Sequence, residues 1–161
     1  MTDDNTMNLR ALFEDESLGA PENAVGFVLW RVMHRYVRAI DRQLAPVDLT
    51  HLQFTTLAMV AWLARDGGAP TQTQVALAGN IHAMQVSNVI KALETKRFVA
   101  RTPNPADSRA KCLHVTDAGL QALRSALPIA IEVQKQMFGA DGQPGGPLLD
   151  SLRAIDSADQ A

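Results

Sequence analysis

Apolar positions recur at helical spacing along nearly the whole chain, and at strand spacing in one stretch only. From Asn23 to Leu44 apolar residues appear throughout, with Arg31, Arg35, Arg38 and Arg42 three and four residues apart on one face; Pro46 ends this helix. Thr50 and Gln53 form a Thr-x-x-Gln capping box that opens a second helix, striped by Leu52, Leu57, Val60 and Leu63. The run Asp66-Gly67-Gly68-Ala69-Pro70 breaks that helix, and a second box, Thr71 with Gln74, opens a short third helix through Val75, Ala76 and Leu77. After a turn at Gly79-Asn80 a fourth helix begins near His82 or Ala83. Its buried stripe is Val86, Val89, Ile90 and Leu93, which leaves Gln85, Ser87, Asn88 and Lys91 largely on other faces.

Two short helices joined by a tight turn, the second presenting hydrogen-bonding side chains, make the pattern of a helix-turn-helix. Beyond Lys96 the period changes to two. Phe98, Val99 and Arg101 read as a strand, Pro103 to Ser108 as a polar loop and Ala110 to Val115 as the returning strand, so a β-hairpin wing follows the helix pair. Thr116 caps a fifth helix carrying Leu120, Leu123, Leu127, Ile131 and Phe138, with a kink expected at Pro128. Gly139 to Pro147 reads as a flexible connection, and Leu148, Leu149, Leu152 and Ile155 as the stripe of a short last helix. The expected fold is mostly α with a small β wing. A winged helix-turn-helix at 47–116 is flanked by a discontinuous dimerisation region, 1–46 with 117–161. The apolar faces at both ends exceed what a small winged core covers, and a homodimer is the economical way to bury them.

Composition changes this picture little, but charge distribution does. The chain has 161 residues, 47% of them hydrophobic and 20% charged, which suits one compact domain or two small lobes. A net charge of −2 conceals an acidic head and a basic middle. Asp3, Asp4, Glu14, Asp15, Glu16 and Glu22 face Arg10 alone before residue 25. Between His82 and Val115, Lys91, Lys96, Arg97, Arg101, Arg109 and Lys111 outnumber Glu94 and Asp107. Such a positive strip can engage phosphates. Cys112 is the single cysteine, so neither an intrachain disulfide nor a cysteine-based metal site is expected, and its place on a wing strand favours a structural role. No export signal or membrane span is expected, which fits a reducing cytoplasm. No Gly-rich phosphate loop, nucleophile motif or metal-ligand cluster appears, so an enzyme, a cofactor and a metal are not expected.

The segment Val75 to Arg101 resembles the MarR family of bacterial regulators. So do Asp107-Ser108-Arg109, similar to the family's wing-tip Asp-x-Arg, and His114-Val115-Thr116-Asp117-Ala118-Gly119 beyond it. Leu49-Thr50-His51-Leu52-Gln53-Phe54 is similar to the family's Leu-Thr-x-x-Gln-Phe. The resemblance implies a homodimeric transcriptional regulator, commonly a repressor, that binds a pseudo-palindromic operator in double-stranded DNA. Gln85, Ser87, Asn88 and Lys91 would meet the major groove, where Gln and Asn pair with adenine and Ser bonds to base or phosphate. Arg109 would enter the minor groove from the wing, supported by Asp107 and accompanied by Lys111. Three residues depart from the family pattern. Arg97 stands where members carry Gly, which predicts strain or a changed turn. Asn88 stands for a frequent Arg, and His82 for a capping Asp.

The resemblance also implies a crevice beside the dimerisation helices where members bind aromatic acids or phenols. Trp30, Arg31, His34, Arg38 and His51 are the candidate residues, because an indole, imidazoles and guanidinium groups can stack on a ring and hold a carboxylate. Trp30 and His34 share a helical face. An alternative reading is a winged-helix interaction dimer without DNA binding, in keeping with the charge-poor fourth helix.

Overall fold

The computed structural model describes residues 2–105 and 107–158, with the side chains of residues 8–105, 107 and 110–157. The chain divides into two compact units, Met1–Arg38 and Ala39–Ala161.

The first unit holds α1 (Thr2–Glu16), a 3-10 turn at Pro21–Asn23, and most of α2 (Val25–Leu44). The sequence pattern does not predict α1. Its apolar positions Leu9, Leu12 and Phe13 follow i, i+3, i+4 spacing, and an Arg10–Glu14 pair one turn apart, at 2.9 Å, supports its outer face. Ser17 stops it: the hydroxyl donates to Phe13 O (2.6 Å) and accepts from Gly19 N (3.0 Å), and Gly19 takes φ 79°. The acidic composition of this stretch masks a helical pattern little more than one turn long. In α2, Val25, Phe27, Leu29, Trp30 and Met33 are exposed.

The second unit begins with the last residues of α2, where Ile40 and Leu44 are fully buried. It continues through a 3-10 turn at Ala45–Val47, then α3 (His51–Ala64), α4 (Gln72–Ala78), α5 (Ala83–Thr95), β1 (Val99–Asn104), β2 (Asp107–Val115), α6 (Asp117–Phe138) and α7 (Pro147–Ala158). Both expected capping boxes form. Gln53 N donates to Thr50 Oγ1 at 3.3 Å and Thr50 N to Gln53 Oε1 at 3.2 Å; Thr71 and Gln74 repeat the pair at 3.3 and 2.8 Å. The core is drawn from α2, α3, α4, α5, both strands and α6: Ile40, Leu44, Leu57, Val60, Val75, Val86, Ile90, Leu93, Val99 and Leu113, with Leu123, Ala126 and Val133 from α6. Thr56 is buried among them without a partner for its hydroxyl.

β1 and β2 pair antiparallel, Val99 opposite Val115 and Thr102 opposite Cys112, with a register shift between Pro103 and Asn104 near the tip. β2 also bonds back to the segment before α4: Leu113 N donates to Pro70 O at 2.8 Å, and Thr71 bridges Cys112. β2 is therefore tied to the segment that opens α4.

α6 continues through Pro128 to Phe138. One expectation changes. The connection after α6 is compact rather than flexible: Gly139–Gly142 forms a 3-10 turn, and Gln134 Nε2 donates to Gly142 O at 3.1 Å. A Cβ at Gly146 would lie 2.4 Å from Ala140 O, so the chain turns too tightly there for any side chain. Among the described residues no helix is long and apolar enough to cross a membrane.

Candidate nucleic-acid interface

The turn between α4 and α5 is closed by backbone bonds from Gly79 N to Val75 O (3.0 Å) and Ile81 N to Ala76 O (2.9 Å). Asn80 takes the left-handed conformation at φ 46°, which Asn tolerates better than most residues. His82 then caps α5, its Nδ1 accepting from Met84 N at 3.2 Å. The imidazole thus takes the place of a capping carboxylate.

With Val86, Val89, Ile90 and Leu93 buried, the opposite side of α5 faces outward. Gln85, Asn88 and Lys91 are exposed there at three-residue intervals, and Ser87 is half-buried at the edge. The helix-turn-helix therefore brings four of the expected site residues onto one continuous surface.

The basic strip is smaller than its sequence suggests. Lys96 Nζ donates to Asp48 O (2.6 Å), Asp48 Oδ1 (2.9 Å) and Gln53 Oε1 (3.0 Å), joining the end of α5 to the start of α3. Arg101 is hydrogen-bonded to Glu94, pinning β1 to α5. Both cations act as ties. Among the described residues Lys91, Arg97 and Lys111 form no ion pair.

Arg97 ends α5. Its N–H donates to Glu94 O and Phe98 N to Leu93 O, each at 2.8 Å, the paired bonds of a Schellman cap. Arg97 sits at φ 62°, so the turn that Gly would make is kept and the strain is borne. Thr116 locks the same corner, donating to Arg97 O at 2.6 Å and accepting from Gly119 N at 3.0 Å.

On the wing, Lys111 and Asp107 are exposed on β2. The backbone of Arg109 belongs to β2; its side chain lies outside the described ones. Thr102 Oγ1 and His114 Nε2 are 2.8 Å apart across the strands, and Cys112 is buried.

The expected effector residues fall in both units. On α2, Trp30 lies against the His34 ring at 4.2 Å between centroids, with His34 Nδ1 2.7 Å from Trp30 O, and Arg31 stands 5.8 Å over the Phe27 ring. Arg38 ends the first unit. His51, in the second, donates its backbone N–H to Asp41 Oδ1 at 2.5 Å. Burial lowers the pKa of the His51 ring, against a smaller raising effect of Asp41.

A groove of about 560 Å³ lies between α3 and α6, lined by Phe54, Ala58, Met59, Trp62, Arg65 and Leu127 among others. Arg65 lies 3.9 Å over the Trp62 ring. None of the expected effector residues lines it. Its signal was present in the sequence, because Phe54, Ala58 and Trp62 recur every fourth residue on one helix face.

A helix-turn-helix followed by a two-stranded hairpin is a winged helix-turn-helix, the architecture of a large class of DNA-binding transcriptional regulators. The chain belongs to the MarR family. The family's sequence model matches residues 47–110. The HTH-type transcriptional regulator YdcH of Bacillus subtilis is 34% identical over 120 residues, 74% of this chain and 82% of that protein. BpsR of Bordetella bronchiseptica, solved in a study of its regulation by 6-hydroxynicotinic acid, is 25% identical and superposes with a TM-score of 0.71 over 86% of this chain and 94% of its own. The Mycobacterium tuberculosis regulator MOSR, crystallised with DNA, shares the fold at 22% identity, with a TM-score of 0.70 over 85% of this chain and 96% of its own.

Proposed function

We propose that the chain is a homodimeric, ligand-responsive repressor whose α5 enters the major groove of a pseudo-palindromic operator. The observation that carries this reading is the outward face of α5. Gln85, Asn88 and Lys91 stand exposed on a helix whose other side is anchored in the core. Gln85 and Asn88 supply the donor and acceptor that match adenine, Ser87 a hydroxyl, and Lys91 a phosphate contact. Arg109 and Lys111 on the wing reach the flanking minor groove and backbone, with Asp107 orienting Arg109.

Residues 47–116 form the DNA-binding part and residues 1–46 with 117–161 the dimerisation part. Support for the dimer comes from exposed apolar rows in both units. Val25, Leu29, Trp30 and Met33 lie on α2, and Leu127, Ile131, Leu152 and Ile155 on α6 and α7. A second copy removes this surface from water.

The effector is a small aromatic or heteroaromatic acid. The groove under Trp62 has the size of a small-molecule site, and the Arg65 guanidinium beside the indole, which pairs with the exposed Asp66 carboxylate at 3.2 Å, would exchange that partner for a ligand carboxylate. The Trp30–His34 pair with Arg31 offers similar chemistry on α2. Ligand binding releases DNA only to the extent that it favours one conformation over the other. Selection of genomic fragments by the purified protein, followed by footprinting, tests the reading. Two protected half-sites about one DNA turn apart, lost on adding an aromatic acid, are expected. A ligand that binds without changing DNA affinity would remove the regulatory part.

A further inference from the structure

Met84 does not fit a helix divided between an apolar buried side and a polar exposed side. It is the second residue of α5 and 65% exposed, outside the packed stripe of Val86, Val89, Ile90 and Leu93. It stands next to Gln85 and one turn before Asn88. The first turns of a recognition helix are the part that touches base edges. At those edges in the major groove the one apolar group is the 5-methyl of thymine.

We propose that Met84 is a specificity-determining residue that packs its thioether side chain on a thymine methyl at one position of each half-site. The inference rests on the DNA-reading role of α5 set out above. Gln85 and Asn88 beside it suit adenine, so the polar and apolar readers converge on A·T pairs. An unbranched thioether suits the task, because its three torsions let it follow the methyl as the helix settles in the groove.

The test uses the operator selected by the full-length protein, with each thymine replaced in turn by deoxyuridine. That change removes the methyl and keeps the base pair. The expected result is one position per half-site where the wild type loses about fourfold in affinity, the value of one buried methyl group. Met84→Ala should bind the thymine and uracil duplexes equally, Met84→Leu should keep the preference, and Gln85→Ala should keep it while binding more weakly. A wild type that binds its operator selectively yet tolerates uracil everywhere would overturn the proposal. So would a Met84→Ala variant that still prefers thymine. Absence of any sequence-selective binding by the wild type would overturn the reading of α5 itself.

Discussion

At φ 62°, Arg97 adopts a conformation that disfavours any residue with a Cβ, yet its two cap bonds and the Thr116 hydroxyl hold it there. Arg97→Gly keeps those bonds and relieves the strain, against the extra freedom Gly gives the unfolded chain. A net gain of about 0.5–1 kcal/mol is expected in urea denaturation. A loss would mean that the Arg97 side chain stabilises the corner. His51 carries the clearest pH effect. Its folded-state pKa is lowered by burial, so the unfolded chain takes up a proton near the ordinary value of 6.5 and the folded chain only at lower pH. The contribution is full above that value and is lost as pH falls below it. His51→Asn should therefore flatten the fall in stability between about pH 6.5 and 5, measured against the wild type by thermal melts. Equal slopes would contradict the assignment.

Among the elements, those with end signals were the most legible. Thr50-x-x-Gln53 and Thr71-x-x-Gln74 marked helix starts because each box satisfies two otherwise orphaned N–H groups, and the structure forms both. The α5 stripe and the wing followed from period alone. Sequence could not show that Lys96 and Arg101 are ties. Their partners Asp48 and Glu94 lie 48 and 7 residues away and meet them only through the fold. Nor did composition show that Gly139 to Pro147 is a tight turn, since glycines serve loose and crowded backbones alike. Gly119 belongs to the crowded kind. A Cβ there would lie 2.1 Å from Phe98 O, so α6 starts against the backbone that feeds the wing. Gly119→Ala should cost about 1–3 kcal/mol and loosen the hairpin, read by denaturation and by amide exchange in β1. An unperturbed variant would show that the approach is not essential. On the wing itself, Arg109→Ala should weaken operator binding by on the order of 1–3 kcal/mol, and unchanged affinity would remove Arg109 from the interface.

For the whole molecule, a net charge of −2 conceals how charge is distributed. The acidic residues before Val25 offset a middle whose cations divide between structural ties and an outward set that includes Lys91 and Lys111. The helix-turn-helix and wing were legible because their signals are local. One wall of the groove under Trp62 is a local pattern on α3, but the other is supplied by α6, more than fifty residues further on, and that pairing is not local. The central claim is that the outer face of α5 and the wing bind a specific duplex. Fluorescence anisotropy against the DNA upstream of the chain's own gene, with a scrambled duplex of equal length and several salt concentrations, tests it most directly. Tight binding to the first duplex alone is predicted, falling steeply with salt and less steeply for Lys91→Ala. Equal, weak binding to both duplexes, and to fragments selected from the whole genome, would contradict it.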